Sequence, residues 1–234
     1  MSNQLIIIGG GFSIREGIEK GLWQRLQNHF VIGTNFSYNH FPNPTVQCYV
    51  DKDFYEKNVE GLKNLPLIIG KKHTFTQLLP NTIMLETSSK YNPNILLGVY
   101  SPSLVGLFAL SLSIYVLSNG TNVPENSTIF LLGFDFTGEP SIKDNKGREL
   151  SHYYQGQIEH RGIGKVSYYS SKGRAERDFK PYLETKIKIF NVSLISKIPV
   201  FQKISYDEFF SMLSMEEINQ EVVRKEIKFL LNKS

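Results

Sequence analysis

Continuous apolar runs alternate along this chain with segments of helical period, and that alternation predicts its architecture. "QLIIIGGG" (Gln4 to Gly11) is a short apolar run ending in glycines, the form of a buried parallel strand entering a tight turn. "SIREGIEKGLWQRLQNHF" follows, with Ile14, Ile18, Leu22 and Leu26 at helical spacing and Ser13 in the N-cap position. "FVIGTN", "TVQCYV" and "LPLIIG" read as the next three strands. A helix from about Ser103 to Leu117 leads into the strand "STIFLLGFDF", and "KIKIFNVS" is the last clear strand. Two helices are predicted at the C-terminal end, about 206–231, the second with Ser214 and Glu217 spaced as a capping box. Strands without polar alternation, separated by helices, predict a parallel sheet covered on both faces. The expected fold is therefore α/β, a single Rossmann-like domain over residues 1–234. Residues 137–180 are too irregular and too long for an idle connection and are expected to form a lid-like insert.

From Pro93 to Asn119 there is no charged residue, so this stretch could be mistaken for a membrane span. Pro102 interrupts it and serines dilute it, which predicts a buried core helix and no transmembrane segment. The composition, 41% hydrophobic and 21% charged, is that of a globular protein. The N-terminus lacks the basic region and cleavage site of a signal peptide. The single cysteine, Cys48, excludes an internal disulfide and fits a cytoplasmic setting; within "TVQCYV" it is expected to be a buried, inert thiol.

Charge changes the picture in one place. The chain holds 26 Lys and Arg against 22 Asp and Glu, and the segment Lys143–Lys180 contains the whole excess of four. The same segment carries "SHYYQGQIEHRG" (Ser151 to Gly162), rich in groups that transfer protons or bind anions. An anionic ligand is therefore expected there.

The turn Gly9–Gly10–Gly11, followed directly by Phe12 and Ser13, permits close approach of a ligand to the backbone, and the helix that follows would offer N–H groups to a nucleotide phosphate. It lacks the third glycine of a dinucleotide turn, having Ile14 there, and the second strand ends in Asn35 rather than in an acidic residue. Asp51 and Asp53 in "VDKDFY" have the spacing of a D-x-D pair that could hold Mg²⁺ or Mn²⁺ on a diphosphate; an ordinary acidic turn is the other reading. Asp135 in "GFDF" is expected at the sheet's carboxyl edge, as a ligand contact or as a cap on its own turn.

With "GGGFS", "GTNFSY", a helix led by Ser103, "LLGFDF", "SHYY" and "KIKIFNVSLIS" in this order, the chain resembles the bacterial lipo-oligosaccharide sialyltransferases and the 6-hydroxymethyl-dihydropterin diphosphokinase-like proteins. The motifs are short but cover most of its length. The resemblance implies a nucleotide-sugar transferase in which the glycine turn, Asn35 and Ser103 bind the donor nucleotide and His152, in the "SHY" segment, is the base. Gly10 and Phe12 replace an Asn and a Pro usual in that turn, and the acidic D-x-D is a feature of the diphosphokinase-like relatives.

Histidine titrates near neutrality, which suits a base that takes a proton from an attacking hydroxyl. His152 and His160 are the candidate catalytic residues, with Tyr153 and Arg161 as contacts to a phosphate or carboxylate. His29, His40 and His73 are expected to be structural. The expectation is thus a glycosyltransferase-like enzyme with a nucleotide-sugar donor and a glycan, metabolite or nucleic-acid acceptor, leaving room for a homo-oligomer. An ATP-dependent diphosphokinase and a non-catalytic nucleotide- or nucleic-acid-binding module are the alternatives.

Overall fold

A computed structural model of the chain describes residues 3–41, 43–101, 104–120, 126–136, 152–153 and 173–232. Eight parallel strands form one sheet: β1 (Gln4–Ile8), β2 (Phe30–Thr34), β3 (Val46–Tyr49), β4 (Ile68–Lys71), β5 (Thr82–Leu85), β8 (Thr128–Leu132), β9 (Lys188–Val192) and β10 (Gln202–Lys203). Across the sheet they run β5-β4-β3-β2-β1-β8-β9-β10. The chain builds outward from β1 to β5, returns through a small parallel pair, β6 (Thr87–Ser88) with β7 (Val99–Tyr100), and resumes beside β1 at β8. The order therefore reverses between β1 and β8, whose Ile8 and Leu132 are register partners at the carboxyl end. Such a reversal opens a crevice beyond the strand ends, the usual ligand position in a doubly wound Rossmann-like fold.

Both faces of the sheet are covered, which is why its strands read as unbroken apolar runs. Leu5 and Ile7 of β1, Phe30 and Ile32 of β2, and Ile129 and Leu131 of β8 share one core with α5 (Val105–Asn119) and α8 (Gln220–Leu231). Their alternate neighbours Ile6, Ile8, Val31, Phe130 and Leu132 pack with α1 (Ile14–Glu19), α2 (Leu22–Leu26) and α7 (Tyr206–Met212). α3 (Lys52–Lys57) and α4 (Val59–Leu62) cover Tyr49 and Ile68. α5 is the expected uncharged helix, buried from Leu107 to Leu117. Its Ser111 meets the buried Tyr182 hydroxyl at 2.8 Å, so the serines that dilute the apolar run have partners inside the core. Among the described residues no helix is long and apolar enough to cross a membrane. Cys48 is buried, and burial pushes its thiol well above the usual range, as an inert core cysteine requires.

Four expectations are corrected. The first helical segment is two helices, because Gly21 adopts a left-handed conformation (φ 79°) just past the Lys20 cap and ends α1. Ser13 makes no capping bond, its hydroxyl being used elsewhere. The region expected to be an irregular insert up to 180 contains α6 (Arg174–Phe179), anchored by the fully buried Phe179. The last helix begins at Gln220, not near Ser214. Residues 212–218 dock instead on the far end of the chain: Gln4 Nε2 donates to Met212 O (2.7 Å), Ser214 N to Gln4 Oε1 (2.8 Å), and Ile218 N to Asn28 O (3.1 Å). These long-range bonds outweigh a local capping box, and Glu217 accepts from Asn28. The box is formed by Ser205 and Glu208 on α7, while Asn219 caps α8 by accepting from Val222 N.

Replacing Ser205 or Asn219 by Ala should each cost about 1 kcal/mol in denaturant unfolding, and Ser214→Ala less than about half of that. An equal loss at Ser214 would contradict the start of α8 at Gln220.

Candidate functional site

Two loops leave the sheet side by side at the β1–β8 crevice, and hydrogen bonds join them residue by residue. Gly9 N donates to Leu132 O (2.7 Å) and Gly11 N to Gly133 O (2.8 Å). One turn further, Ser13 N donates to Asp135 Oδ2 (2.8 Å) and Ser13 Oγ to Asp135 Oδ1 (2.5 Å). Approach this close explains the glycines. A Cβ on Gly9 would lie 2.8 Å from Gly133 O, and one on Gly11 would lie 2.5 Å from Asp135 Oδ2. Both oxygens of Asp135 are engaged by Ser13, so its carboxylate reaches across to the β1 loop rather than capping its own turn. It also occupies Ser13 N–H, a donor that sequence reasoning left free for a phosphate.

Asp135 is held from behind as well. Lys197 N donates to its carbonyl (2.7 Å), and Phe134 O accepts from both Ser196 Oγ (2.6 Å) and Asn191 Nδ2 (3.1 Å). Asn191 and Ser196 come from the "KIKIFNVSLIS" stretch and are buried, so this motif acts as a scaffold for the β8 loop. On the α1 side, Tyr206 packs against Gly17; burial, then the nearby Asp135 carboxylate, push its phenol well above the usual range, keeping it protonated.

His152 sits on the middle glycine. A Cβ on Gly10 would lie 2.3 Å from His152 Cδ2, and the next residue, Tyr153, donates its N–H to Gly10 O (2.9 Å). Tyr153 is buried beneath this turn, in the core beside Ile6 and Ile8. Its ring lies 5.2 Å from that of His40, which sequence reasoning left as structural. Burial lowers the pKa of His40, favouring the neutral ring. Nothing in the local sequence marks this histidine; only the fold brings it beside Tyr153.

Asn35 directly follows β2, the strand next to β1, and takes a left-handed backbone (φ 48°). Asparagine tolerates that conformation better than most residues. Gln47, fully buried on β3, donates from Nε2 to Asn35 O (2.9 Å). Gly33 leaves room for it, since a Cβ there would lie 2.4 Å from Gln47 Oε1. The Asn35 side chain is half-buried with no hydrogen bond among the described residues.

The crevice thus gathers Gly9, Gly10, Gly11, Ser13, Asp135, His152 and Tyr153, with Asn35 at the adjacent strand end. Ser103, His160 and Arg161 lie outside the described residues. Asp51 and Asp53 stand apart, at the start of α3 after β3; both are exposed, and Asp53 pairs with Lys57 (3.0 Å). A divalent cation needs several converging oxygens, and among the described residues no group of three or more acidic, His or Cys side chains is placed to hold one. His73 and His29 are tied to backbone carbonyls of Val50 (2.8 Å) and Ser214 (3.1 Å), in keeping with structural roles.

No known family matches the chain, and no curated protein matches it. Two solved structures align with it, a variant of a protein designated SsCR and a reductase engineered to attenuate substrate inhibition in asymmetric catalysis. Each aligns at 13% identity over 82% of this chain and 58% of the other, with a TM-score of 0.23. The chain therefore spans less than two thirds of those proteins, and a likeness at that level assigns no activity.

The lowered pKa of His40 has a defined consequence. The fold disfavours its protonated form, so stability is complete above the unfolded value of about 6.5 and declines as pH falls from there through the lower folded value. Between pH 7.5 and 5, wild type should lose more melting temperature than His40→Gln. Parallel pH profiles would show that His40 carries no such penalty.

Proposed function

We propose that the protein is a glycosyltransferase-like enzyme that binds a nucleotide-activated sugar in the β1–β8 crevice and transfers the sugar to an acceptor hydroxyl. The observation that carries this reading is the seating of the His152 imidazole on Gly10, at the switch point where a doubly wound fold binds its ligand. The order of motifs shared with the bacterial lipo-oligosaccharide sialyltransferases supports it. In this reading the donor nucleotide lies over Gly9–Gly11 and against Asn35, with Tyr153 supporting the floor. Ser13 and Asp135 act indirectly, by holding the turn in place. Ser103, His160 and Arg161 keep the donor and acceptor roles that the sequence suggests, and the cytoplasm is the proposed setting.

The acceptor oxygen attacks the anomeric carbon while its proton passes to His152. The bond from that carbon to the donor phosphate oxygen breaks, and its electron pair leaves with the nucleotide. Among the described residues Asp51 and Asp53 gain no further converging donors, and no step is routed through them. For the same reason the diphosphokinase alternative, which leans on that pair to hold Mg²⁺ beside ATP, has less support. The acceptor is a glycan, a metabolite or a nucleic acid.

CMP-, UDP- and GDP-sugars should be screened for binding, then for hydrolysis and transfer. His152→Asn should lower turnover of the donor that binds by roughly 10²- to 10⁴-fold and change its affinity by less than about threefold. Turnover unchanged by the substitution would remove His152 as the base, and stabilisation by ATP alone would overturn the glycosyl-transfer reading.

A further inference from the structure

Arg15 lies two residues beyond Ser13, in the first turn of α1, and its surroundings are unusual for a half-buried arginine. Its guanidinium carbon is 5.1 Å from the centroid of the Phe12 ring, and Phe12 packs on the core formed with Ile8 and Ile14. Stacking on an aromatic face fixes the guanidinium plane while leaving its edge N–H groups available to a planar or tetrahedral anion. Of the acids nearby, Glu19, one turn further along α1, is exposed and forms no ion pair with Arg15, and the others are committed elsewhere. Glu16 pairs with Lys20 (3.5 Å), Lys20 also with Asp207 (2.7 Å), and Asp135 is taken by Ser13. Arg15 itself has no ion pair or hydrogen bond from its side chain among the described residues.

The adjoining backbone shows the same surplus of donors. The amides of Gly9, Gly11 and Ser13 are used by the β8 loop, and those of Ile14 and Arg15 by Gly11 O and Phe12 O. Gly10 N and Phe12 N alone in this turn have no acceptor among the described residues. A half-buried cation and two unengaged amides within six residues, with no carboxylate partner, form a set of donors without an acceptor. Arg25 offers the contrast. It also stacks on an aromatic ring, that of Phe210 at 4.5 Å, but it is exposed and lies in the last turn of α2, just before the chain enters the amino end of β2 and away from the glycine turn.

We propose that Arg15, together with the amides of Gly10 and Phe12, binds a phosphate group of the nucleotide donor. The inference rests on the nucleotide-donor reading above and adds the residue that meets the donor's charge. It also accounts for how an anion could bind close to Asp135, since the guanidinium opposes the repulsion of that carboxylate.

Isothermal titration of wild type, Arg15→Gln, Arg15→Lys and Arg25→Gln should use CMP, UDP and GDP, the matching nucleosides, and inorganic pyrophosphate. Arg15→Gln should weaken the bound nucleotide by about tenfold or more and the matching nucleoside by less than about twofold. Arg15→Lys, which keeps the charge but loses the stacked fork, should fall between, and Arg25→Gln should match wild type. Unchanged nucleotide affinity in Arg15→Gln, or equal losses for nucleotide and nucleoside, would overturn the assignment while leaving the donor reading intact. Pyrophosphate binding that depends on Arg15, with no nucleotide sugar turned over, would keep the anion site and overturn the transferase reading. If wild type binds neither pyrophosphate nor any nucleotide, both fall.

Discussion

Ser13 and Asp135 are separated by 122 residues in sequence, yet the serine donates both its N–H and its hydroxyl to the two oxygens of the buried carboxyl. This clasp closes the one place where a doubly wound sheet has no crossover to hold it together. The two halves of the sheet diverge there, β1 toward β5 and β8 toward β10, and the clasp extends the joining of their exit loops one turn beyond the Gly9–Leu132 and Gly11–Gly133 backbone bonds. A buried carboxyl without its donors would be costly, so fold and crevice geometry depend on the same contact. The close-packed glycines, the docked β8 loop and the seat for His152 lie directly around it. Asn191 on β9 and Ser196 and Lys197 N just after it brace the loop, which makes the "KIKIFNVSLIS" motif a support of the site.

The clasp also redirects the chemistry. In a dinucleotide-binding turn the helix that follows the glycines receives a phosphate at its N-terminus. Here a carboxylate of the protein stands at Ser13, and α1 is only six residues long. What remains for a ligand is the outer rim of the turn: Gly10 with His152 above it, the Phe12 amide, the stacked Arg15 and the strained end of β2 at Asn35. In the proposed reading, the donor nucleotide presents its phosphate to the turn and its reactive carbon to the imidazole.

Much of the fold was legible because sheet strands buried on both faces leave continuous apolar runs. β5, the β6–β7 pair and β10 were not, since they are half-buried, two residues long, or exposed at an edge, and pairing rather than pattern creates them. The helix caps at Ser13 and Ser214 misled for one common reason: a local capping signal yields when distant groups make better bonds, Asp135 in one case and Gln4 in the other. In the site, the glycines, Asn35 and His152 could be singled out from spacing, chemistry and resemblance. His40 and Arg15 carry no local signal, because their significance lies in Tyr153 and Phe12 beneath them and in the lack of an ion pair to Arg15 among the described residues. The role of Asp135 was visible only once Ser13 was beside it.

A double-mutant cycle on Ser13→Ala and Asp135→Asn, read by equilibrium unfolding, tests the clasp most directly. The account predicts a coupling energy of about 1 kcal/mol or more between the two positions. Additive losses, agreeing within about 0.3 kcal/mol, would contradict it and show that the crevice is held by other contacts.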